Sequence, residues 1–172
     1  DDDNQFAYAG SQGQDADTRG GGMMGRDMMG GHMGGGMGSM MARMMGVLGD
    51  QILVNGNVSA ARLVPRRAHR LRLFNAANTR TLKLAWSDGS PLTVIGTDGG
   101  LLATPDQRDY VMLAPAERVE LWVDFGRWKA GGDVSLNSLA FDGGMMSGMM
   151  GGQGELPDGA AFEVQRFTIG DG

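Results

Sequence analysis

The sequence of 172 residues contains no cysteine and only two histidines, and it has no apolar run long enough to cross a membrane. The missing cysteine excludes disulfides, zinc thiolate sites and thiol nucleophiles. A membrane-spanning helix needs about 18 or more consecutive apolar residues, so we expect no membrane span. Basic residues are also in the minority, with 15 Lys and Arg against 20 Asp and Glu, which argues against a nucleic-acid partner held by phosphate contacts.

A recognisable signal peptide is missing too, and the chain opens with three aspartates, Asp1–Asp3, instead of a methionine. We therefore expect a processed or excised piece, in which the missing signal says nothing about the compartment. The length suits a single domain of ordinary size. The three aspartates are interpreted as a charged chain end.

Glycine and methionine, in contrast, are far more frequent than in average proteins, with 31 and 15 residues. Most of the methionines lie in two segments that are also rich in glycine. The first Met-rich segment, residues 20–46, holds ten of them: Met23, Met24, Met28, Met29, Met33, Met37, Met40, Met41, Met44 and Met45. The second Met-rich segment, residues 143–154, holds four: Met145, Met146, Met149 and Met150. Met112 lies in an ordinary apolar run.

This composition predicts three parts of the chain. Residues 1–19 form an N-terminal segment with a possible edge strand at Phe6-Ala7-Tyr8, residues 20–46 form a flexible insertion, and residues 47–172 form the body. The second Met-rich segment is a loop of that body. Because glycine loses much backbone entropy on folding, we expect Gly20–Gly38 to be poorly ordered without a metal ion.

The body shows alternation of apolar and polar residues with a period of two, which is typical of strands. About eight short strands are predicted, at Ile52–Val54, His69–Phe74, Thr81–Trp86, Pro91–Thr97, Tyr110–Leu113, Arg118–Phe125, Val134–Phe141 and Phe162–Ile169. Turn residues separate them, among them Asn55-Gly56, Asp88-Gly89 and Asp98-Gly99-Gly100. No helical period of useful length intervenes, so the pattern predicts an all-β sandwich or barrel.

Five motifs of the body, taken in order, resemble the middle domain of a three-domain bacterial multicopper oxidase, of the laccase and cuprous oxidase group. They are Gly49–Gly56, Arg70–Ala76, Ser87–Leu92, Ile95–Leu102 and Val111–Phe125. The resemblance covers most of the chain outside the Met-rich segments. It implies an all-β, cupredoxin-like Greek-key β-sandwich, and for a bacterial protein of this group we expect a periplasmic location.

The resemblance also implies a division of labour between domains. The type 1 copper would lie in the third domain and the trinuclear copper cluster between the first and third, and these two domains would be the partners of this one. A blue copper site needs a Cys thiolate and two His, and here His32 and His69 stand 37 positions apart in a chain without Cys. We therefore expect no catalytic residue and no oxidase activity in this chain alone.

The Met-rich segments carry the most distinctive chemistry of the sequence. Thioether sulfur is a soft, neutral ligand that prefers Cu(I), and it survives in an oxidising compartment. Pairs such as Met40/Met44 and Met145/Met149 would share a face in a helix, and His32 would add an imidazole nitrogen. We predict that the fourteen methionines of both segments and His32 bind Cu(I). Adaptable hydrophobic filler and a linker that binds nothing are the other interpretations.

Two further features have plainer interpretations. His69 lies between Ala68 and Arg70 in an Arg-rich strand, so a hydrogen-bonded or exposed histidine is expected instead of a metal ligand. Four arginines form a basic patch, which we interpret as a solvated strand face or a contact with a neighbouring domain: Arg66, Arg67, Arg70 and Arg72.

Two functions follow from these observations. The first is the non-catalytic middle domain of a multicopper oxidase, which bridges the copper-bearing domains and recruits Cu(I) for oxidation coupled to reduction of dioxygen to water, as in copper tolerance. The second is a free-standing Cu(I) or Ag(I) store or chaperone with a cupredoxin body. For the oxidase, the sequence leaves open whether Cu(I) or a phenol is the physiological substrate.

Overall fold

The structure, a computed structural model, describes residues 48–58, 61–142 and 156–171. All of these residues belong to the second of the two units into which the chain divides, Leu48–Gly172. The described residues do not include the expected edge strand at Phe6-Ala7-Tyr8 or the two Met-rich segments. The edge strand and the low structural order expected for Gly20–Gly38 therefore remain predictions. Within the described ranges, no helix has the length and apolar character needed to cross a bilayer.

Strands dominate the described residues. In chain order they are β1 (Leu53–Val54), β2 (Asn57–Val58), β3 (Arg62–Val64), β4 (Ala68–Phe74), β5 (Leu82–Trp86), β6 (Leu92–Thr97), β7 (Gly100–Arg108), β8 (Val111–Leu113), β9 (Arg118–Asp124), β10 (Asp133–Ser138) and β11 (Phe162–Ile169). A short 3-10 turn, Phe125–Arg127, follows β9. In β9 the buried Val119, Leu121 and Val123 alternate with residues that are more exposed, so the strand turns one face to the interior.

The strands form two main sheets and one hairpin. The first sheet has the order β3-β11-β10-β5-β8, and the second has the order β4-β9-β6-β7. All pairings are antiparallel except that of β3 with β11. Between β3 and β10 the chain crosses repeatedly from one sheet to the other, so most consecutive strands are not neighbours, as expected for Greek-key connections. The alternation predicted a sandwich or a barrel, and the structure has the sandwich.

One hydrophobic core lies between the two sheets and takes side chains from both. Leu84 and Leu136 come from the first sheet, and Leu92 and Leu121 come from the second. The aromatic side chain at its centre is Phe125, which is completely buried and lies within 5.2–6.4 Å, between ring centroids, of four other rings: His69, Trp86, Trp128 and Phe167. Burial of this apolar surface is the main favourable contribution to the stability of the sandwich.

The strand predictions were incomplete at three places. The long strand β7 was not predicted, because among the described strands it pairs only with β6, is exposed along nearly its whole length and contains Pro105. Such a strand lacks the alternation that the period-two pattern detects. The short strands β2 and β3 were also missed, and β10 ends at Ser138, three residues earlier than expected.

The predicted turns are present. In the two-residue turn between β1 and β2, Asn55 has φ 52° and Gly56 has φ 79°, which is the left-handed geometry that Asn-Gly adopts readily. Asp98 and Gly99 form the turn between β6 and β7, where the residue with a positive φ, 110°, is Gly100. A turn signal such as Asn-Gly is reliable because few residues tolerate a positive φ.

Candidate functional site

None of the predicted metal ligands lies among the described residues. This holds for His32 and for the fourteen methionines of the two Met-rich segments: Met23, Met24, Met28, Met29, Met33, Met37, Met40, Met41, Met44, Met45, Met145, Met146, Met149 and Met150. Their binding of Cu(I) therefore stays a prediction. The structure describes the residues of the body next to these segments: 48–50 after the first segment, and 141–142 and 156–159 on the two sides of the second.

Met112 is the methionine that the structure does describe. It lies in edge strand β8, opposite Lys83 of β5, and 43% of it is exposed. The ammonium group of Lys83 lies 4.4 Å from the ring centroid of Tyr110, on the same edge of the sheet. Because the residue paired with it across the strands carries a positive charge, Met112 is a poor candidate ligand for a cation.

His69 is a packed and hydrogen-bonded residue, as expected. Its Nδ1 lies 2.9 Å from the carbonyl oxygen of Arg67, and its ring meets the edge of Phe125 at a centroid distance of 5.2 Å. A carbonyl can only accept, so Nδ1 carries the proton in this contact. In the described part of the chain, no group of three or more His, Asp or Glu side chains is arranged to hold a metal ion.

The basic patch is partly neutralised on the outer face of the second sheet. Arg70 forms a two-point contact with Glu120 on the neighbouring strand, with Nε 2.6 Å and Nη2 2.5 Å from Oε2. Arg72 lies 3.8 Å from the other oxygen of Glu120, and Arg66 donates to the carbonyl of Gly126. This arrangement agrees with the predicted polar strand face.

A different arginine, Arg80, occupies the place where the Met-rich segments join the body. It lies between β4 and β5 and is only 4% exposed. Its guanidinium donates three hydrogen bonds to main-chain carbonyls: Nη2 to Gly49 at 2.9 Å and to Leu156 at 2.7 Å, and Nη1 to Pro157 at 3.1 Å. We call these residues, together with Asp50 and Gly159, the loop base.

The charge of Arg80 is compensated at the loop base. Burial lowers the pKa of Arg80 from its ordinary value, while the carboxylates of Asp158 and Asp50 act in the opposite direction. A buried guanidinium is costly unless it is hydrogen-bonded, and here three carbonyls and two nearby carboxylates meet that need. Among the described residues, Oδ1 of Asp158 is buried without a hydrogen-bond partner, so this carboxylate acts on Arg80 through its charge.

Asn75 holds the backbone of Arg80 in place. This buried side chain donates from Nδ2 to the carbonyls of Arg80 at 2.8 Å and Leu113 at 2.9 Å. Its Oδ1 accepts from the main-chain N–H of Ala77 at 3.1 Å. The side chain therefore ties the loop that carries Arg80 to the end of β8.

Two more hydrogen bonds complete the loop base. The main-chain N–H of Phe141 donates to the carbonyl of Gly159 at 3.0 Å, on the two sides of the second Met-rich segment. The N–H of Leu156 donates to Oδ1 of Asp50 at 3.4 Å. The sequence analysis missed this arrangement, because Arg80 contacts residues 31, 76 and 77 positions away and no local pattern marks them.

Comparison with known proteins identifies the kind of domain. The chain is 38% identical over 120 residues to the cell division protein FtsP of Aggregatibacter aphrophilus (strain NJ8700), covering 69% of this chain and 25% of that protein. It is 39% identical over 95 residues to a laccase of Bacillus subtilis (strain 168), covering 55% of this chain and 18% of the laccase. No protein-family model matches.

A solved structure gives the same result. The 2F4 variant of the McoA multicopper oxidase from the hyperthermophile Aquifex aeolicus superposes with a TM-score of 0.64 at 32% identity, covering 74% of this chain and 26% of that one. The chain thus spans about a quarter or less of the length of these relatives. It is homologous to a cupredoxin-like domain of multicopper oxidases, and the predicted all-β cupredoxin-like fold is confirmed.

Proposed function

We propose that the chain is the non-catalytic middle domain of a periplasmic multicopper oxidase and that it recruits Cu(I) through its two Met-rich segments. The observation that carries the first part is the match to the Aquifex aeolicus oxidase over 74% of this chain. That enzyme is about four times as long as the matched region, which leaves room for a first and a third domain of similar size. These two domains are the proposed partners.

The copper centres would belong to those partner domains. A type 1 site requires a cysteine thiolate, and this sequence has no cysteine. The described body is compatible with a spacing role, because an apolar core fills its interior and the buried Asn75 and Arg80 bind main-chain carbonyls. The domain would therefore hold the copper-bearing domains in their relative places without taking part in electron transfer.

Cu(I) would be the substrate that the Met-rich segments collect. Fourteen thioethers in a chain without cysteine provide soft ligands for this ion without the risk of disulfide formation. In the complete oxidase each Cu(I) would lose one electron and leave as Cu(II). Four such electrons and four protons would reduce one dioxygen to two waters, which is the balance that copper tolerance by oxidation requires.

A second function is supported by the FtsP relatives. The Aggregatibacter aphrophilus protein matches a larger share of this chain than the laccase does, and it is named for cell division and not for oxidation. A longer protein of this second kind would use the cupredoxin-like domain only as a structural element. Copper content of the complete protein separates the two functions, since an oxidase needs type 1 and trinuclear copper and a purely structural protein does not.

Cu(I) titration tests the recruiting role. The intact chain is titrated without dioxygen against a competing Cu(I) chelator and compared with a variant in which the ten methionines of the first Met-rich segment are serines. We expect the intact chain to bind more than one Cu(I) and the variant to lose most of that capacity. Serine keeps the length of the segment unchanged but is a much poorer ligand for a soft ion. Equal stoichiometry and affinity would show that the segment is not a copper site.

A measurement on the complete oxidase tests the function itself. Deletion of residues 20–46 should lower the turnover of Cu(I) more than the turnover of a phenol, because the segment would raise the local Cu(I) concentration without touching the redox centres. A control deletion of equal length elsewhere would remove strands of the folded body. The rate of phenol turnover therefore serves as the internal control. Equal loss of both rates would contradict Cu(I) recruitment.

A further inference from the structure

The outer face of the first sheet has a polar centre. In the inner strands β10 and β11, the hydroxyl of Ser135 and the guanidinium of Arg166 donate to Oε2 of Glu163 at 2.6 and 3.1 Å. The exposed apolar residues Leu63 and Met112 of this sheet lie in its edge strands, β3 and β8. The polar groups at the centre of this face therefore bind one another.

The outer face of the second sheet has an exposed aromatic side chain at its centre. Trp122 lies in the inner strand β9, directly opposite Arg70 of β4 and Thr93 of β6, and 46% of it is exposed. Residues that lie directly opposite each other in antiparallel strands share a face. The exposed Phe74 and Leu101 lie on the same face, as their positions in the strand register show.

The exposed charge of this face is mainly positive, although the whole chain carries a net charge of -5. The side chains of Arg72 and Arg118 are 73% and 60% exposed, whereas that of Glu120, which pairs with Arg70 and Arg72, is only 21% exposed. Tryptophan and arginine are enriched at the centres of protein–protein interfaces, and a basic surface favours an acidic partner. We call the surface formed by these side chains the Trp122 face: Arg70, Arg72, Phe74, Leu101, Arg118 and Trp122.

We propose that the Trp122 face docks against an acidic surface of a neighbouring domain in a longer protein to which this chain belongs. The indole of Trp122 is the apolar anchor, and the arginines around it pair with carboxylates of the partner domain. This inference rests on one part of the proposed function, that the chain is a domain of a longer protein, and it does not depend on copper. The chain covers only 26% of the Aquifex aeolicus oxidase, so a protein of that length has room for such a domain.

Hydroxyl-radical footprinting, read by mass spectrometry, compares the longer protein with the 172-residue chain. Trp122 should be oxidised at least about fivefold more slowly in the longer protein, because the centre of an interface excludes water. Tyr110 is the matched control: it is 47% exposed and lies next to β8, at an edge of the first sheet. Its oxidation rate should change by less than about twofold. Protection of Trp122 that is no greater than that of Tyr110 would overturn the inference.

Charge reversal in the longer protein tests the chemistry of the partner. Arg72→Glu should raise the oxidation rate of Trp122 at least about threefold, because it places a negative charge against an acidic surface. Arg166→Glu is the matched control, since it reverses an exposed arginine of the first sheet that also pairs with a nearby glutamate. It should leave the rate of Trp122 unchanged. If Arg72→Glu has no greater effect than Arg166→Glu, the partner surface is not acidic and the inference is wrong.

Further results separate this inference from the proposed function. If Trp122 becomes protected in the chain alone as its concentration rises, a second copy occupies the face and the inference is wrong. If Trp122 is protected in a longer protein that holds no copper, the oxidase proposal fails and the inference stands. If Trp122 reacts equally in the chain and in the longer protein, the inference fails whatever the copper content. If the chain is a complete protein by itself, the proposed function and the inference fail together.

Discussion

The indole Nε1 of Trp128 donates a hydrogen bond to Oδ2 of Asp88 over 2.8 Å, across 40 positions of sequence. The other oxygen of Asp88 accepts from the N–H of Ser90 at 3.0 Å and from its hydroxyl at 2.6 Å. Arg127 donates to the same hydroxyl at 2.6 Å, and its guanidinium carbon lies 3.9 Å from the Trp128 ring centroid. One carboxylate thus connects the turn after β5 to the residues that follow β9.

This carboxylate should make the stability of the body depend on pH. Desolvation raises the pKa of Asp88, but the hydrogen bonds from Ser90 and Trp128 and the charge of Arg127 outweigh it, so the pKa lies below its ordinary value. A lowered folded-state pKa stabilises the protein above the unfolded-state pKa, which is about 4, and this contribution is lost as the pH falls through the folded-state value. Asp88 is exposed, so solvent screens these contacts. Asp88→Asn should therefore cost about 0.5 kcal/mol at pH 7 and progressively less below pH 4, measured by urea unfolding.

A double-mutant cycle with Trp128→Phe is the control for this effect. Phenylalanine keeps an aromatic ring under Arg127 but cannot donate to Asp88. In the background of the Trp128→Phe substitution, the cost of Asp88→Asn at pH 7 should shrink by several tenths of a kcal/mol, because one of the bonds is already missing. Full additivity of the two substitutions would mean that the indole contact contributes nothing.

Replacement of Ala116 by glycine should stabilise the body. Ala116 has φ 68° in the turn closed by the hydrogen bond from Glu117 N–H to Ala114 O. A left-handed conformation costs an L-residue about 1–2 kcal/mol, and the greater freedom of glycine in the unfolded chain offsets only part of this gain. Ala116→Gly should therefore raise the free energy of unfolding by about 0.5 kcal/mol. Ala76→Gly, at an exposed position without a positive φ, should lower it, and the opposite order would refute the argument.

Substitution of a core aromatic residue should destabilise the body more than substitution of a surface aromatic residue. Phe125 is completely buried among aromatic rings, whereas 46% of Trp122 is exposed on the outer face of the second sheet. Phe125→Ala should lower the free energy of unfolding by about 3–5 kcal/mol, because it removes buried surface and leaves a cavity. Trp122→Ala should cost less than about 1 kcal/mol. Denaturant unfolding of the two variants measures both values, and a larger loss for Trp122 would mean that its outer face is covered by another part of the protein.

Cu(I) binding should persist in mild acid. Thioethers do not protonate in this range, whereas an imidazole does, so only a contribution from His32 would be lost between pH 7 and pH 5. The Cu(I) affinity of the chain should fall by no more than a few-fold over this interval, and His32→Ala should remove even that dependence. Competition titrations at the two pH values make the measurement. A loss of a hundredfold or more would mean that the ligands are carboxylates or imidazoles and not methionines.

Local patterns in the chain were sufficient for much of the fold. The alternation in His69–Phe74 and Arg118–Phe125 predicted β4 and β9, because a strand between core and solvent must alternate. Asn55-Gly56 predicted the first turn, because few residue pairs accept two positive φ angles in succession. Strand β7 escaped prediction for the converse reason: an edge strand exposed on both faces has no buried side from which a pattern could arise.

The type of metal ligand that the chain offers was predictable from its composition. The place where the Met-rich segments join the body was not. The absence of cysteine and the clustering of methionine in two segments define which metal chemistry is open to the chain, because ligand type depends on residue identity alone. Only the tertiary structure showed that Gly49, Leu156 and Pro157 meet at Arg80. The groups that bind Arg80 are main-chain carbonyls, which every residue has, so no sequence pattern marks them. Long-range packing of the two sheets therefore decided where the Met-rich segments leave the body.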